Sequence, residues 1–328
     1  MKAGGRLAVG DYAEDVPWRP SPFTGTARVE RVAAEFERGA TIVLQALHLH
    51  NLPVARFCRR LERELGHPVQ ANAYYTPRAA QGLAVHHDTH DVFCLQIAGE
   101  KRWLVYPPAL ELPLRDQRYR PELAAQGEPV LDVTLTSGDT LYLPRGWLHE
   151  ALTSETDSLH LTVGVNVHTW LDAFKAALDE CARENVGFRR SIPPDGAEPT
   201  GLVEALAARL SPGAVSGRMR ERFVHTRRPV REDLFDQLRA LEQLDLETQL
   251  VRRDTVIAEL AVGDGGVALV YEGRKLRFPA RVRAEIEFVV AAEEPFRLSD
   301  LPGPLDEEGR LVLARRLVRE GFLRVSFD

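Results

Sequence analysis

The sequence predicts a mainly β jelly roll, flanked by helices and followed by a small C-terminal α+β domain. Three observations predict this fold class. Residues 69–167 read as short strands separated by turns, and many short strands at close spacing indicate a sandwich or barrel. Apolar residues recur at helical spacing on both sides of this stretch. The length of 328 residues suits two domains and a connecting region.

The composition is that of a globular protein, with 44% hydrophobic and 27% charged residues. No apolar run reaches the roughly 20 residues of a membrane span, and the first residues lack the apolar core of a signal peptide. The cysteines Cys58, Cys94 and Cys181 form no CxxC motif, so a disulfide or zinc framework is disfavoured and a reducing cytoplasm is expected. A net charge of −6 argues against general nucleic-acid binding.

The N-terminal region, residues 1–68, is expected to hold an extended segment and two helices. The chain to about Pro22 is polar and contains Pro and Gly, which favours an extended conformation. Ala27–Arg38 has apolar residues at helical spacing, and Thr41–Ala46 begins as a β-branched strand. Pro53–Leu65 is predicted as a helix, because proline suits a first turn and a glycine follows the last residue.

The central region, residues 69–168, is assigned to the jelly roll. Gly99-Glu100 is typical of a tight hairpin, and two further turns are indicated at Ser137-Gly138-Asp139 and Pro144-Arg145-Gly146. Six strands are predicted between these turns, at Val69–Tyr75, Val92–Ala98, Lys101–Tyr106, Leu131–Leu135, Thr140–Leu143 and Leu159–Val167. A double-sheet jelly roll fits this number of short strands.

Helical periodicity returns in residues 169–224, which are assigned to a helical region. Thr169–Val186 places apolar residues on one side, and Ser191–Thr200 is a break rich in Pro and Gly. Further helices are expected at Leu202–Leu210 and at Arg231–Val251.

Residues 225–328 are predicted to form a separate α+β domain. The expected elements are a hairpin, a helix, a turn, a helix and a closing strand, at Val267–Tyr271 with Arg274–Phe278, Ala280–Ala292, Leu298-Ser299-Asp300, Glu307–Glu320 and Phe322–Phe327. Helix, turn, helix and strand in this order indicate a winged helix. The region holds 17 Arg and Lys against 20 Asp and Glu, so a structural or protein-contact role is favoured over nucleic-acid binding.

Six of the ten histidines lie between His86 and His168, and they indicate a metal site. Residues two apart on a strand face the same way, so His86 and Asp88 are expected to point together. His149 follows a turn several strands later and offers a third ligand. Two imidazoles and one carboxylate form the facial triad of non-haem Fe(II) oxygenases. A zinc hydrolase is less natural, since its three-ligand site comes with a separate general base.

Lys101 is one of only four lysines in the chain, and it lies on the strand that leaves the Gly99 hairpin. A dicarboxylate co-substrate that chelates iron through its oxo-acid end needs a cation for its far carboxylate, and a single Lys or Arg supplies one. The alternative for Lys101 is a solvated hairpin lysine.

The motifs around these residues resemble those of the Jumonji-C ribosomal oxygenases. This family includes a bacterial ribosomal-protein arginine hydroxylase and the nucleolar histidine hydroxylases of animals. The matching motifs are Asn72-Ala-Tyr-Tyr-Thr-Pro77, Gln81-Gly-Leu83, His86-His-Asp88, Asp91-Val-Phe93, Leu95-Gln96, Gly99-Glu-Lys101-Arg-Trp103, Gly138-Asp-Thr-Leu-Tyr-Leu-Pro-Arg-Gly146 with His149, and Ser158-Leu-His-Leu-Thr162. The resemblance implies a double-stranded β-helix of the cupin type, a helical dimerisation region and a winged helix.

The resemblance also implies the site residues and their roles. The Fe(II) ligands would be His86, Asp88 and His149. Lys101 would pair with the far carboxylate of 2-oxoglutarate. Asn72, Tyr74 and Thr162 would lie beside this co-substrate. The chain departs from an animal relative at Gly164, where that relative has serine, and it has a shorter segment before its first helix.

The function implied is hydroxylation of a ribosomal-protein side chain, Arg or His, by an O₂-consuming dioxygenase that works as a homodimer. One alternative is an oxygenase with the same iron centre that acts on a small molecule or peptide. Another is a non-catalytic cupin-like binding module. Histone-lysine demethylation is less favoured, because the sequence shows no chromatin-reading module. His160 shares a strand face with Thr162, and its position fits a pocket or the core equally well.

Overall fold

A computed structural model describes residues 2, 7–8, 11, 13–14, 26–123, 127–153, 155–194, 196, 200–263 and 265–327. The predicted extended conformation up to Pro22 lies mostly outside the described residues, as does part of the predicted Ser191–Thr200 break. The chain divides into two compact units. The first comprises Met1–Cys58 and Val69–Val167, and the second comprises Arg59–Pro68 and His168–Asp328.

The first unit is a sandwich of antiparallel sheets, which confirms the predicted jelly roll. Its strands are β1 (Ala13–Glu14), β2 (Thr26–Ala27), β3 (Ile42–Leu44), β4 (Val69–Thr76), β5 (Gln81–His86), β6 (Asp91–Ala98), β7 (Lys101–Pro108), β8 (Leu131–Leu135), β9 (Thr140–Leu143), β10 (Trp147–Leu152) and β11 (Ser158–Val165). One sheet has the order β5-β10-β7-β8 and the other β3-β4-β11-β6-β9, while β1 pairs with β2. From β4 to β7, and again from β8 to β11, the chain alternates between the two large sheets, as in a jelly roll.

All six predicted jelly-roll strands are present with small shifts at their ends, but β5 and β10 were not predicted. The β10 sequence, WLHEAL, contains no β-branched residue and holds good helix formers. The β5 sequence, QGLAVH, begins with polar and glycine residues and lies at a sheet edge. Both strands form because neighbouring strands supply their backbone hydrogen bonds. The local sequence pattern carries no information about those neighbours.

Helices also accompany the first sheets. Helix α1 spans Val29–Glu37 and helix α2 spans Leu52–Leu65, close to their predicted bounds. Strand β3 ends at Leu44, two residues before the predicted end at Ala46, and a turn leads from it into a 3₁₀ turn at Leu47–Leu49. The chain leaves β3 because Ala46 adopts a left-handed conformation, with φ at 54°.

The register of the five-stranded sheet determines which side chains share its inner face. Strand β11 lies between β4 and β6, so that His160 is opposite both Tyr74 and Gln96. Two residues further along, Thr162 is opposite Asn72 and Cys94 on the same strands. Since side chains alternate along a strand, these rows face one side of the sheet. The predicted residues Asn72, Tyr74 and Thr162 therefore lie on one face of this sheet.

The described residues of the second unit form the end of α2, further helices and small sheets. The helices are α3 (Trp170–Glu184), α4 (Leu202–Ala207), α5 (Pro212–His225), α6 (Leu234–Ala240), α7 (Arg283–Ala291) and α8 (Glu307–Arg319). The strands are β12 (Gln249–Arg252), β13 (Ala258–Gly263), β14 (Gly266–Tyr271), β15 (Arg274–Phe278), β16 (Phe296–Arg297) and β17 (Leu323–Val325). One sheet has the order β16-β12-β17 and the other β13-β14-β15.

The predicted helix Arg231–Val251 is wrong in its length. Only α6 is helical, and β12 begins before the predicted helix ends. The cause is a turn in which Thr248 Oγ1 donates to Asp245 Oδ1 at 2.7 Å while Asp245 N donates to Thr248 Oγ1 at 3.0 Å. Such local side-chain bonds compete with helix formation. Helix α5 was missed, because its two glycines and many arginines leave it only a weak apolar stripe.

The C-terminal part of the second unit confirms the predicted α+β character. Its core is a cluster around the buried side chains of Leu250, Leu269, Tyr271, Ile286 and Phe322. The winged-helix assignment, the dimerisation role and the fourfold domain division remain predictions. None of the helices in the described part of the chain combines the length and apolarity that a membrane crossing requires.

Candidate metal centre and its cavity

Adjacent strands bring the two predicted histidine ligands together. His86 ends β5, His149 lies on β10, and the two residues are paired in register. Their ring centroids are 4.5 Å apart. Asp88 lies two residues beyond the end of β5, so the turn after the strand, and not strand alternation, places its carboxylate.

One ligand atom from each of His86, Asp88 and His149 lies within 4.8 Å of the others. His149 Nε2 and Asp88 Oδ2 are 3.8 Å apart. Among the described residues, this is the one cluster of at least three His, Cys, Asp or Glu side chains close enough to share an ion. The geometry therefore offers three ligands on one side of a common point and fits a facial triad.

The backbone orients both imidazoles toward the shared point. His86 Nδ1 lies 2.9 Å from the Ala84 carbonyl oxygen, and His149 Nδ1 lies 3.0 Å from that of Trp147. A ring whose Nδ1–H donates to a carbonyl presents the Nε2 lone pair, which is the arrangement seen in metal-ligating histidines. The donor set is thus arranged for metal coordination.

The protonation states suit a divalent cation. Burial and the neighbouring His86 lower the pKa of His149 to about 4, so its imidazole is neutral near pH 7. Burial opposes ionisation of Asp88, but the imidazoles of His149 and His86 outweigh it and hold the carboxyl pKa below its ordinary value. About a third of the Asp88 side chain, 32%, remains exposed, and the residue lines a cavity. A carboxylate and neutral imidazoles are the forms that bind a metal.

A cavity of about 200 Å³ opens onto the triad. Both sheets contribute to its lining, which includes the predicted residues Tyr74, Lys101 and Thr162. Burial raises the pKa of Tyr74 to about 12, so its hydroxyl stays neutral. Asn72 is not among the residues that line this cavity, and its Oδ1 accepts a hydrogen bond from Ala46 N at 2.9 Å. A co-substrate contact for Asn72 therefore remains a prediction.

Lys101 is buried, with 3% of its surface exposed, and is not the solvated hairpin lysine of the alternative reading. Its Nζ donates to Thr76 Oγ1 at 3.0 Å, and Thr76 Oγ1 lies 3.0 Å from Thr41 Oγ1. No carboxylate of the described residues forms an ion pair with Lys101. Burial lowers its pKa to about 8, because the ammonium is poorly solvated inside the protein. A desolvated cation without an acidic partner suits an anionic ligand.

The structure adds cavity residues that the sequence reasoning missed. Lys2 pairs through its backbone with Thr41, and its Nζ lies 5.6 Å from the centroid of the Tyr74 ring. Thr76 does not line the cavity but accepts the hydrogen bond of Lys101, and it could have been found because it shares a strand face with Tyr74. The scarcity of lysine marks Lys2 as unusual, but no local pattern connects it or Thr41 to a site.

At Gly164, where an animal relative has serine, the structure shows a close neighbour. A Cβ atom at this position would lie 2.5 Å from the Cδ2 atom of His90. The His90 imidazole therefore occupies the space where a side chain at position 164 would begin. A serine here would require His90 to move.

Comparison with known proteins first identifies the type of domain. A model of the JmjC domain matches residues 45–173, which include most of the jelly roll and all three triad residues. Two published structures of ycfD from E. coli have the same fold. One covers 87% of this chain and 79% of its own, with a TM-score of 0.58 and 18% identity. The other, in complex with cobalt and 2-oxoglutarate, has a TM-score of 0.53 and 20% identity over 87% of this chain and 78% of its own.

Residues 45–173 are thus matched as a JmjC domain, and this domain carries the His-Asp-His cluster. Ribosomal oxygenase 1 of Rattus norvegicus is 30% identical over 350 residues, which cover 88% of this chain and 58% of that protein. The bifunctional lysine-specific demethylase and histidyl-hydroxylase NO66 of Drosophila persimilis is 32% identical over 187 residues, 55% of this chain and 27% of that protein. The chain therefore spans less than two thirds of these relatives. Over most of its length the chain is similar to JmjC-domain ribosomal oxygenases, as the sequence motifs predicted.

Proposed function

We propose that this protein is an Fe(II)- and 2-oxoglutarate-dependent hydroxylase that acts on an Arg or His side chain of a ribosomal protein. The observation that carries the proposal is the convergence of His86, Asp88 and His149 in a cavity that also holds the buried Lys101. The family and the names of its ribosomal oxygenase members support the ribosomal substrate.

The donor set fits the proposed metal. Two imidazoles and one carboxylate leave coordination positions open and suit Fe(II). With 2-oxoglutarate and O₂, iron would supply oxidative decarboxylation to succinate and CO₂, coupled to hydroxylation of a substrate C–H bond. His86, Asp88 and His149 would hold the iron.

The chain's own cavity residues would orient the co-substrate. Lys101 would bind the far carboxylate of 2-oxoglutarate with a charge-assisted hydrogen bond. Tyr74 and Thr162 would line its path, and the two sheets would exclude bulk water from the reaction. The complete donor set and the buried cation favour this function over a non-catalytic cupin-like module.

The function is tested by the intact masses of ribosomal proteins from cells with and without this gene. One ribosomal protein should lose a single oxygen in the deletion strain and regain it with the wild-type gene, but not with a His86→Ala variant. Tandem mass spectrometry then assigns the oxygen to Arg or His. Identical masses in all strains would reject the ribosomal substrate and leave the small-molecule or peptide oxygenase as the alternative.

We further propose that the protein is a cytoplasmic homodimer that associates through α3. Trp170, Phe174 and Leu178 follow one another at four-residue spacing on this helix and are 71%, 46% and 43% exposed. Exposed apolar side chains in one stripe indicate a protein contact. The burial of Cys58, Cys94 and Cys181 is in keeping with a reducing compartment.

Sedimentation of the full chain at micromolar concentration should give the mass of a dimer. Phe174→Asp should shift the chain to a monomer, because it places a charge in the apolar contact, while exposed Val262→Asp on β13 serves as the control. A wild-type monomer would contradict the dimer, and a dimer that survives Phe174→Asp would contradict the α3 contact.

A further inference from the structure

Asp88 is the one triad residue that lies outside the strands. His149 lies on β10 and His86 ends β5, whereas Asp88 belongs to the segment between β5 and β6. The position of its carboxylate relative to His149 therefore depends on contacts that the sheets do not supply. Those contacts come from the turn at Pro144-Arg145-Gly146, which joins β9 to β10.

This turn runs alongside the segment between β5 and β6. Strands β6 and β9 pair as far as Val92 opposite Leu143. Pro144 comes next and has no backbone N–H, so it cannot donate a further hydrogen bond of the ladder. The Asp91 side chain continues the connection instead, because its Oδ1 accepts a hydrogen bond from Arg145 N at 2.9 Å.

A second hydrogen bond joins the turn to the backbone of Asp88. Gly146 N donates to the Asp88 carbonyl oxygen at 3.0 Å. Glycine is required at this position, because its φ is 91° and a Cβ atom would lie 2.1 Å from the carbonyl oxygen of Leu110. Three residues later the same chain presents His149. The turn thus binds the backbone of one triad residue and leads directly into another.

An ion pair keeps the Asp91 carboxylate facing the turn. Asp91 Oδ2 lies 3.8 Å from Arg145 Nη1, and the two side chains are only 16% and 13% exposed. Removal of one partner from a buried pair is destabilising, because the other charge is left without compensation. This ion pair and the two hydrogen bonds, from Arg145 N to Asp91 and from Gly146 N to Asp88, together form a clamp between the two segments.

We propose that Asp91 is a positioning residue for the metal centre, and that the clamp fixes the Asp88 carboxylate at the distance from His149 that a shared ion requires. That distance is 3.8 Å between Asp88 Oδ2 and His149 Nε2. The inference rests on the proposed function and deepens it. Asp91 acts through the turn, by accepting the hydrogen bond from Arg145 N, and is not itself a ligand. Residues that orient metal ligands contribute about 10- to 100-fold to metal affinity.

Two conservative variants separate the position of the Asp91 acceptor from its charge. Asp91→Asn keeps an oxygen in place and loses the charge, whereas Asp91→Glu keeps the charge and moves the oxygens one carbon further out. The probe is Co(II), titrated into the metal-free full chain against a competing chelator, and the visible absorption of bound Co(II) reports its ligand geometry. Asp91→Asn should keep nearly the wild-type affinity and spectrum. Asp91→Glu should weaken Co(II) binding about tenfold or more and change the spectrum.

Asp157→Ala is the matched control for the loss of a carboxylate that holds a backbone amide. Asp157 Oδ1 accepts a hydrogen bond from Arg78 N at 2.9 Å, in a loop that carries no triad residue. This variant should leave the Co(II) affinity and spectrum unchanged, even where it lowers the melting temperature.

The outcomes distinguish the clamp from the metal centre itself. Equal Co(II) affinity of the wild type and Asp91→Glu would overturn the positioning role of Asp91, as would weaker binding by Asp91→Asn than by Asp91→Glu. Either result would leave the proposed function in place. A wild-type chain that binds no Co(II) would instead overturn the metal centre of the proposed function, and the clamp with it.

Discussion

His86→Ala should lower iron affinity by more than about 100-fold and abolish turnover while leaving the fold intact. Loss of residues that only support a ligand already costs about 10- to 100-fold in metal affinity, and His86 would be a ligand itself. Its imidazole lies at a tilt to that of His149 at the end of a strand and is not part of the buried apolar core. Removal should therefore leave the sheet pairing of β5 and β10 in place.

Metal content after anaerobic loading and 2-oxoglutarate consumption are the two measurements. The matched control is His50→Ala, which removes an exposed histidine of the same unit and should change neither. Thermal unfolding without metal should show similar transitions for both variants. If His86→Ala retained wild-type iron affinity, the facial triad would be misassigned, and the cavity would have to bind metal elsewhere.

The triad could be predicted because its chemistry is specific, although part of the geometric reasoning was not correct. Alternation along a strand was expected to align His86 with Asp88, but the strand ends at His86. The backbone turn after β5 brings the carboxylate back toward His149. Residue types and chain order therefore identified the ligands, while the strands that hold both histidines escaped local pattern analysis.

The environment of Lys101 could not be predicted, because it depends on residues far away in the sequence. Thr76 comes from β4, and Thr41 lies just before β3. A hairpin lysine followed by an exposed Arg102 gives no local sign of burial. The inner faces of two sheets create the desolvated site, so only the register of their strands reveals it.

Helix lengths in the second unit show the same limit. Thr169 and Asp172 form a capping box that fixes the start of α3 close to its predicted position. Helix α6 ends at Ala240, and the turn of Asp245 and Thr248 then competes with apolar periodicity over the rest of the predicted range. Side-chain caps decide boundaries that periodicity alone extends too far.

Lys101→Met should weaken 2-oxoglutarate binding by at least about 30-fold while stabilising the ligand-free protein. Removing one partner of a buried, hydrogen-bonded charge pair costs about 2–5 kcal/mol of binding. In the free protein the same ammonium is poorly solvated, since burial lowers its pKa from 10.5 to about 8. Methionine has a similar shape and no charge, so the free energy of unfolding should rise by on the order of 2 kcal/mol near pH 7.

The pH dependence separates this charge effect from a loss of packing. Wild-type affinity for 2-oxoglutarate should be constant below about pH 8 and fall about tenfold for each further pH unit, because Lys101 loses its proton there. Lys101→Met should show weak binding without this inflection. Lys275→Met, an exposed lysine on β15, is the matched control and should keep the wild-type affinity, inflection and stability.

Opposite signs for binding and stability distinguish a binding lysine from a structural one. If Lys101 served the fold, methionine would remove the hydrogen bond to Thr76 and lower the melting temperature along with the affinity. If it serves an anion, the ligand-free protein carries an unfavourable buried charge that the bound carboxylate neutralises. A melting temperature that falls, or an affinity for 2-oxoglutarate that does not change, would therefore show that the buried ammonium does not anchor the co-substrate.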